Sequence, residues 1–265
     1  MSSKTNIPNA VRIVPMVGPG YKRPPWPLHP PPSGLVYMNG PLISSVQVYS
    51  LFWGAAWQGA LSGLATQLNQ FFQFIVTSPQ IDQLSEYSVP GYAIAQGAFV
   101  GTNTVVAPAP APTVTDADIQ SFVLQNKLPL SAAESSHPNI DNHVYFVFTP
   151  PGVAVTMGGA ASCGLAPGGF CGYHSDISPG RAFYAVVPYP GCSGCSPLST
   201  IFDSMTMFCS HELCEAITDP IPGQGWYGQV QGQQGEIGDF CNRQSKSLGG
   251  YTVQMIWSNA NHGCV

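Results

Sequence analysis

The chain has 265 residues, of which 44% are hydrophobic and only 8% carry a charge. Its formal net charge of -5 argues against the basic surface that nucleic-acid binding needs. No apolar run approaches the roughly 18 residues of a membrane span. We therefore expect neither a nucleic-acid partner nor a membrane span, and the oligomeric state stays open.

The first 34 residues differ in composition from the rest of the chain. They are rich in proline, most densely at 24–32, which favours an extended polyproline arm. Residues 35–265 show strand and helix patterns without an internal repeat. We predict an N-terminal arm, residues 1–34, followed by a single α+β domain, residues 35–265.

Strands and helices alternate along the predicted domain. Apolar residues at steps of three and four predict an amphipathic helix at 58–77, and Thr115 with Asp118 forms an N-cap pattern for a helix ending near residue 127. A short helix is predicted at 80–86, and residues 157–181 and 221–235 are predicted loops. Strands are predicted at 42–53, 92–106 (two strands around Gly101), 143–148, 153–156, 182–188 and 251–257.

A candidate metal-binding and catalytic motif lies in an apolar run at residues 201–217. His211, Glu212 and Glu215 form an H-E-x-x-E pattern, and on a helix His211 and Glu215 share one face. In H-E-x-x-H zinc sites the outer residues bind the metal and the glutamate is the general base. We therefore predict His211 and Glu215 as zinc ligands and Glu212 as the catalytic base.

A zinc site with an open catalytic position needs a third protein ligand. Glu236 and Asp239 are the candidates, since they follow the helix by about twenty residues. Either could bind the metal while the other orients His211, and of the two we favour Glu236 as the ligand. Calcium is the alternative ion, although it prefers six to eight oxygens and His211 fits it poorly.

Other residues are candidates for substrate binding. Tyr184 lies on the predicted strand at 182–188, whose edge could receive an extended peptide. Trp226 and Tyr227 could form a platform or simply cap a loop, and His174 could reach the cleft or be a loop histidine. We predict all four as substrate-binding residues for a peptide or protein substrate.

All eight cysteines lie between residues 163 and 264. An even, clustered set favours disulfides and hence an oxidising, extracellular compartment. No apolar segment typical of a signal peptide is visible at the N-terminus, so the expectation of an extracellular protein rests on the cysteines and on the uncharged, loop-rich composition.

Several short motifs over about residues 36–265 resemble the phosphate-induced (EXORDIUM-like) secreted proteins, above all their microbial relatives. The resemblance implies a zincin-like metallopeptidase: an α+β fold with a mixed or antiparallel sheet packed on the active-site helix, and loops rich in Pro, Gly and Cys. Its pattern H-E-x-x-E-x-x-T-D-P, then E-I-x-D-x-C, falls on residues 211–220 and 236–241. Plant members generally lack the His-Glu pair, which this chain keeps. The other motifs are Gly40-Pro41-Leu42, Phe170-Cys-Gly-Tyr-His174, Cys192-Ser-Gly-Cys195 and Trp226-Tyr227.

Local spacing and this resemblance together imply a disulfide framework. Cys209 and Cys214 are left over from these pairs. Five residues of helix separate their Cα atoms by about 8 Å, beyond the usual span of a disulfide, so they would pair with each other only if the helix began after Cys209. Otherwise they are buried thiols or form disulfides elsewhere. The implied pairs are Cys241–Cys264, Cys163–Cys171 and Cys192–Cys195.

The sequence thus predicts an extracellular zinc-dependent hydrolase, a metallopeptidase. The competing hypothesis is a non-catalytic structural or cell-wall-associated protein, in which the acidic residues hold a structural metal or nothing.

Overall fold

The computed structural model describes residues 13–15, 34–128, 142–164, 169–177, 182–192, 194–196, 198–230 and 233–265. Most of the predicted proline-rich arm lies outside the described residues.

In the described part of the chain the strands are, in order, β1 (Ile13–Pro15), β2 (Leu35–Tyr37), β3 (Ser45–Trp53), β4 (Ala95–Val105), β5 (Thr113–Thr115), β6 (His143–Phe148), β7 (Ala154–Met157), β8 (Ala160–Ser162), β9 (Gly169–Asp176), β10 (Phe183–Val186), β11 (Trp226–Val230), β12 (Gln233–Gly235), β13 (Ser245–Leu248), β14 (Tyr251–Gln254), β15 (Trp257–Ser258) and β16 (Gly263–Cys264). The helices are α1 (Ser62–Ile75), α2 (Pro79–Gln83), α3 (Asp116–Asn126) and α4 (Ile201–Thr218), with 3-10 turns at Ala55–Trp57, Leu84–Tyr87 and Asp239–Cys241. None of these helices is long and apolar enough to cross a bilayer.

The main sheet contains nine strands in mixed orientation. Its order is β4-β3-β6-β10-β9-β8-β7-β5, and β1 adds to β9. The first four strands run parallel, whereas β9 is antiparallel to both β10 and β1. Three smaller sheets, β12-β11-β2, β13-β14 and β15-β16, complete the fold. The predicted α+β class with a mixed sheet is therefore confirmed.

Helices cover both faces of the main sheet. On one face α1 and α4 enclose the larger core, which includes Phe72, Phe146 and Phe208. On the other face α3 packs Ile119 and Phe122 against the remaining side chains of the same strands. The two cores hold the sheet rigid between helices, so side chains on its central strands keep fixed positions.

The helix α4 is buried along nearly its whole length. Thr200 caps its N-terminus by accepting a hydrogen bond from the N–H of Asp203 at 3.0 Å. Every residue from Ser204 to Thr218 is buried, because α4 packs between the main sheet, α1 and β14. The helix ends at Thr218, and its C-cap Asp219 precedes Pro220, a position at which helical conformation is disfavoured.

Most predicted elements are present with shifted ends. The helices at 58–77 and 80–86 appear as α1 and as α2 with its following turn, and the capping box of Thr115 and Asp118 begins α3. The prediction of two strands around Gly101 is wrong, because β4 continues through it with Gly101 at φ +145° beside a register shift. The last predicted strand ends at Gln254, and Trp257 starts β15.

Two predicted loops contain strands. Residues 157–181 hold β8 and β9, and residues 221–235 hold β11 and β12. The strand β9 is made largely of Gly, Cys, His and Ser, without the β-branched residues that mark most strands. It forms because it is buried between two helical layers, a tertiary effect that local composition does not show.

The prediction that the strand containing Tyr184 offers a free edge is wrong. This strand, β10, lies inside the sheet, where it pairs in parallel with β6 and antiparallel with β9. No edge of β10 is open at Tyr184, which pairs on both sides.

Three disulfides cross-link the described part of the chain. Only one of them joins the cysteines that were predicted to pair. Cys241–Cys264 is confirmed, whereas Cys163–Cys171 and Cys192–Cys195 are wrong. The C-x-x-C segment is a turn, with the N–H of Cys195 donating to the carbonyl of Cys192, and its two sulfurs reach different partners. Cys209 and Cys214 are buried free thiols on one continuous helix, as their spacing predicts. The observed pairs are Cys163–Cys192, Cys171–Cys195 and Cys241–Cys264.

Candidate metal centre

Seven ionisable side chains meet beneath the main sheet, between α4, β9 and the segment after β12. The five acids come from α4, its C-terminal cap and the later segment, and we call them the carboxylate cluster. Each of the seven is at most 1% exposed except Asp239, at 9%. The cluster consists of Glu212, Glu215, Asp219, Glu236 and Asp239, and the two histidines are His174 and His211.

His211 and Glu215 form the centre of the site, as the helical spacing predicts. His211 Nε2 lies 3.1 Å from Glu215 Oε1. A carboxylate oxygen of Asp239 completes a group whose ligand atoms all lie within 4.8 Å of one another. One imidazole nitrogen and two carboxylates at this spacing fit a zinc ion with an open fourth position.

The segment after β12 is fitted closely against these two residues. The backbone N–H groups of Gly238 and Asp239 donate to Glu215 Oε1 at 3.2 and 3.1 Å. A Cβ atom at Gly238 would lie 2.8 Å from His211 Nδ1 and 2.9 Å from Glu215 Oε1. Glycine is therefore needed here for close approach, not for an unusual backbone angle, since φ is -82°.

Gln254 fixes the far side of the His211 ring. Its amide nitrogen lies 2.6 Å from His211 Nδ1 and donates to the carbonyl of Gly238 at 2.9 Å, while its oxygen accepts from the N–H of Arg243 at 3.2 Å. In this orientation Nδ1 is an acceptor. A neutral ring that binds metal through Nε2 needs a proton on Nδ1, so the amide oxygen of Gln254 would then have to face the ring.

His174 supplies a second, overlapping group. It stands on β9 with Nδ1 3.4 Å from Glu212 Oε2 and 3.5 Å from Glu215 Oε2. Its Nε2 lies 3.1 Å from the backbone carbonyl of Asp219. His174, Glu212 and Glu215 also meet the spacing of a metal site. Glu215 thus turns one oxygen toward each histidine.

Glu236 and Asp219 lie behind His174 and differ in how they are satisfied. Asp219 accepts hydrogen bonds from the backbone N–H groups of Gly223, Gln224 and Gly225, which makes it the anchor of the turn after α4. Glu236 Oε1 lies 3.5 Å from His174 Nε2, yet within the described structure neither of its oxygens has a hydrogen-bond partner. Glu236 belongs to neither ligand group, so Asp239 is the better placed of the two predicted third ligands.

Burial and neighbouring charges shift the pKa values of the acids in the carboxylate cluster. Burial raises the pKa of Glu236 well above its usual value, and Glu215 and Asp219 raise it further, against the opposing effect of His174. The pKa of Glu212 is raised by burial. Burial also opposes ionisation of Glu215, but His211 and His174 lower its pKa to about 2.

The histidines respond to the same acids. Burial disfavours a charged His211, yet Glu215 and Glu212 raise its pKa to about 10. Burial opposes the charged form of His174 too, and Glu236 is the main group that raises the pKa of His174. The five carboxyl groups of the cluster still outnumber the two histidines beside it. Buried negative charge without a partner is costly, so a bound cation is the natural way to stabilise the ionised cluster.

The described contacts of two further predicted site residues, Tyr184 and Trp226, lie outside the cluster. Tyr184 faces the α3 side of the sheet, where its hydroxyl donates to Asp116 at 2.7 Å. Trp226 is half-buried and donates its indole N–H to the carbonyl of Tyr87, with Tyr37 against its ring. Tyr227 is buried at 4% exposure. The described contacts of Tyr184 and Trp226 give them structural roles outside the cluster.

Sequence reasoning undervalued His174 and missed Gly172, Gln254 and the role of Asp219. His174 fell in a predicted loop, although it is one of only six histidines in a chain with few charges. A Cβ atom at Gly172 would lie 2.9 Å from Glu212 Oε1. Close approaches of this kind leave no local signal in a single sequence.

Comparison with known proteins gives no family assignment. No family model matches the chain, and neither the curated proteins nor the solved structures contain a significant match. The function must therefore be argued from the site itself.

Proposed function

We propose that the protein is a zinc-dependent hydrolase that cleaves peptide bonds. The observation that carries the proposal is the buried group of His211, Glu215 and Asp239, with the unpartnered Oε1 of Glu212 beside it. His211 Nε2 faces Glu215 Oε1 at 3.1 Å without making a well-oriented hydrogen bond. Buried polar atoms without partners are rare in native proteins, and a cation would satisfy these.

In this proposal each residue has one role. His211, Glu215 and Asp239 hold the metal, and a bound zinc ion supplies Lewis-acid polarisation of water and of the substrate carbonyl. Glu212 takes the proton from the attacking water and returns it to the leaving amine. Its raised pKa suits both transfers, because a base must hold the proton before giving it up.

The donor set supports zinc over calcium. Calcium takes six to eight oxygen ligands, whereas each ligand group here contains an imidazole nitrogen. Zinc binds nitrogen and carboxylate ligands together in four-coordinate sites. A calcium site at His211 is accordingly the weaker alternative.

We extend the proposal to the zincin-like fold and to the EXORDIUM-like resemblance. A motif-bearing helix packed under a mixed sheet is what a zincin-like architecture requires. Of the motifs that carry the resemblance, the acids and the histidine at 211–219 and 236–239 line the cluster. The three disulfides fit an oxidising compartment, which supports an extracellular location.

A purely structural metal site is the second candidate function. The burial of nearly every cluster side chain favours it, because a catalytic metal must be reachable by substrate. In that case a chelator would destabilise the fold, and the protein would cleave no peptide with or without zinc.

The assignment of Glu212 as base and of His211 and Glu215 as ligands is tested by Glu212→Gln. This substitution removes the ionisable carboxyl group and keeps the size and shape of the side chain. We expect it to retain zinc and to lose peptidase activity by about 100-fold or more, whereas His211→Ala and Glu215→Ala lose the metal. Asp82→Asn, the same change of acid to amide at an exposed helix position, is the matched control. Zinc content and chelator-sensitive cleavage of a protein substrate are measured together.

If Glu212→Gln releases zinc as completely as His211→Ala, Glu212 is a ligand and not the base. That outcome would favour the second group, in which Glu212 joins His174 and Glu215.

A further inference from the structure

Two of the three disulfides lie close enough to exchange partners. The sulfur atoms of Cys163, Cys192 and Cys195 all lie within 4.8 Å of one another, although Cys163 pairs with Cys192 and Cys195 pairs with Cys171. The turn that joins Cys192 to Cys195 is closed by the N–H of Cys195, which donates to the carbonyl of Cys192 at 3.0 Å. This turn holds the sulfur of Cys192 beside a disulfide to which it does not belong.

The two bonds differ in their access from solution. Cys163 and Cys192 are half-buried and line a cavity of about 500 Å³, with the ring of Tyr189 in its wall. This volume falls within the range of small-molecule sites, about 300–1,000 Å³. Cys171 and Cys195 are buried, at 2% and 1% exposure. Of the two bonds, the one between Cys163 and Cys192 is therefore the one that a thiol from solution meets first.

Arg243 lies at the buried end of the second disulfide. Its Nη2 donates to the carbonyl of Gly194 at 2.6 Å and lies 3.7 Å from the sulfur of Cys171. A guanidinium group beside a sulfur stabilises the thiolate, and a stabilised thiolate leaves faster in thiol–disulfide exchange. An attack on the sulfur of Cys195 would release Cys171 beside this positive charge.

We propose that these two disulfides form a thiol–disulfide exchange site for a low-molecular-weight thiol. The thiolate of the ligand bonds to the sulfur of Cys163, and the Cys163–Cys192 bond breaks and leaves a thiolate at Cys192. That thiolate bonds to the sulfur of Cys195, the Cys171–Cys195 bond breaks, and Cys171 takes up the proton that the ligand gave up.

The products are a mixed disulfide at Cys163, a disulfide between Cys192 and Cys195, and a free thiol at Cys171. Two disulfide bonds are present before and after the exchange, so the step consumes one thiol and needs no further oxidant or reductant.

The exchange changes what is tied to β9. It replaces cross-links that span 29 and 24 residues by one inside the C-x-x-C turn. Cys171 belongs to β9, so its release frees this strand from the turn. The next residue, Gly172, is the one at which a Cβ atom would lie 2.9 Å from Glu212 Oε1. The site thus acts on the strand beside the carboxylate cluster, while its own chemistry needs neither a metal nor the proposed function.

The test maps the cysteines of the full-length, metal-free chain after incubation with glutathione as the thiol. Mild acid stops the exchange, N-ethylmaleimide labels the free thiols, and peptic digestion in acid preserves the disulfides for mass spectrometry. We expect glutathione on Cys163, an equal amount of maleimide on Cys171, and a disulfide between Cys192 and Cys195. Cys209 and Cys214 are free beforehand, so their labels are a constant background.

Three other results would overturn the proposal. Glutathione on Cys163 with maleimide on Cys192 would mean that the thiol breaks one bond without any exchange. Glutathione on Cys171 or Cys195 would mean that it enters at the buried bond. A chain without any adduct would mean that both disulfides are inert cross-links.

The control chain carries Cys171→Ser with Cys195→Ser, which removes the disulfide that Cys192 would attack. In this chain the maleimide label should move to Cys192, with glutathione still on Cys163. If Cys192 stays unlabelled here as well, the thiol does not open the Cys163–Cys192 bond and the proposal is overturned. Thermal unfolding of the control shows whether it is folded, and the mapping of the unaltered chain decides the question on its own if it is not.

Discussion

At the scale of single residues, the geometry of the site depends on the missing side chain of Gly238 as well as on the side chains of His211 and Glu215. The lack of a side chain at Gly238 lets its backbone N–H reach Glu215 and leaves room for the His211 ring, which a Cβ atom would crowd. The sequence identifies His211, Glu212 and Glu215 by their spacing. Nothing in the pattern around residue 238 reveals that a methyl group there would displace both proposed metal ligands.

We expect Gly238→Ala to weaken zinc binding by about tenfold or more, the size of effect that residues supporting metal ligands usually have. The cause is steric, since the new Cβ would lie 2.8 Å from His211 Nδ1. Isothermal titration of the metal-free protein with zinc measures the change.

The matched control for this change is Gly63→Ala. It adds the same methyl group inside α1, where a Cβ atom meets nothing within 4 Å, so zinc affinity should not change. An unchanged affinity in Gly238→Ala would mean that His211 and Glu215 do not bind the metal together.

At the scale of elements, α4 is the best predicted part of the molecule and β9 the worst. The apolar run before and after His211 shows in one sequence that a buried helix carries the motif. The strand β9 carries His174, and apart from the aromatic residues Phe170 and Tyr173 it consists of small and polar residues without a β-branched side chain. The part of the candidate site on α4 was therefore predictable in detail, whereas the strand that places His174 beside Glu212 was not.

The prediction of the disulfide pairs fails for a related reason. Cys192 and Cys195 are close in sequence, so pairing them is the simplest prediction. The folded turn instead sends them to Cys163 and Cys171, which β8 and β9 bring near. A pairing decided by long-range contacts is not visible in local spacing.

The capping residue Thr200 gives a direct test of how α4 is held. We expect Thr200→Ala to lower the free energy of unfolding by about 1 kcal/mol, because the N–H of Asp203 loses its acceptor. Urea denaturation of the metal-free protein measures it.

Thr200→Ser keeps the hydroxyl and should change stability by only a few tenths of a kcal/mol. If the alanine and serine variants were equally stable, the cap would contribute nothing and the position of α4 would depend on its packing alone.

At the scale of the whole molecule, the buried acids make stability depend on pH and metal together. The pKa of Glu236 is raised well above its usual value, chiefly by burial. A carboxyl with a raised folded-state pKa stabilises the fold below its unfolded pKa, and this contribution is lost as pH rises through the folded value. The raised pKa of His211 acts in the same direction between pH 6.5 and about 10.

We therefore expect the metal-free protein to become less stable as pH rises from about 5 to 8, and Glu236→Gln to reduce this loss. Zinc at about 100 times its dissociation constant should add about 2.7 kcal/mol at neutral pH. Thermal unfolding across pH, with chelator or with zinc, gives the comparison. A metal-free protein whose stability rises with pH over this range would contradict the arrangement of charges described here.

Metal analysis of the purified full-length chain shows whether a zinc ion binds the motif on α4. We expect one zinc per chain, retained by His262→Asn, which changes an exposed histidine at a left-handed backbone position that asparagine tolerates. His211→Asn should retain none. A content well below one zinc in the unaltered chain, with no gain when zinc is added, would mean that the motif holds no zinc.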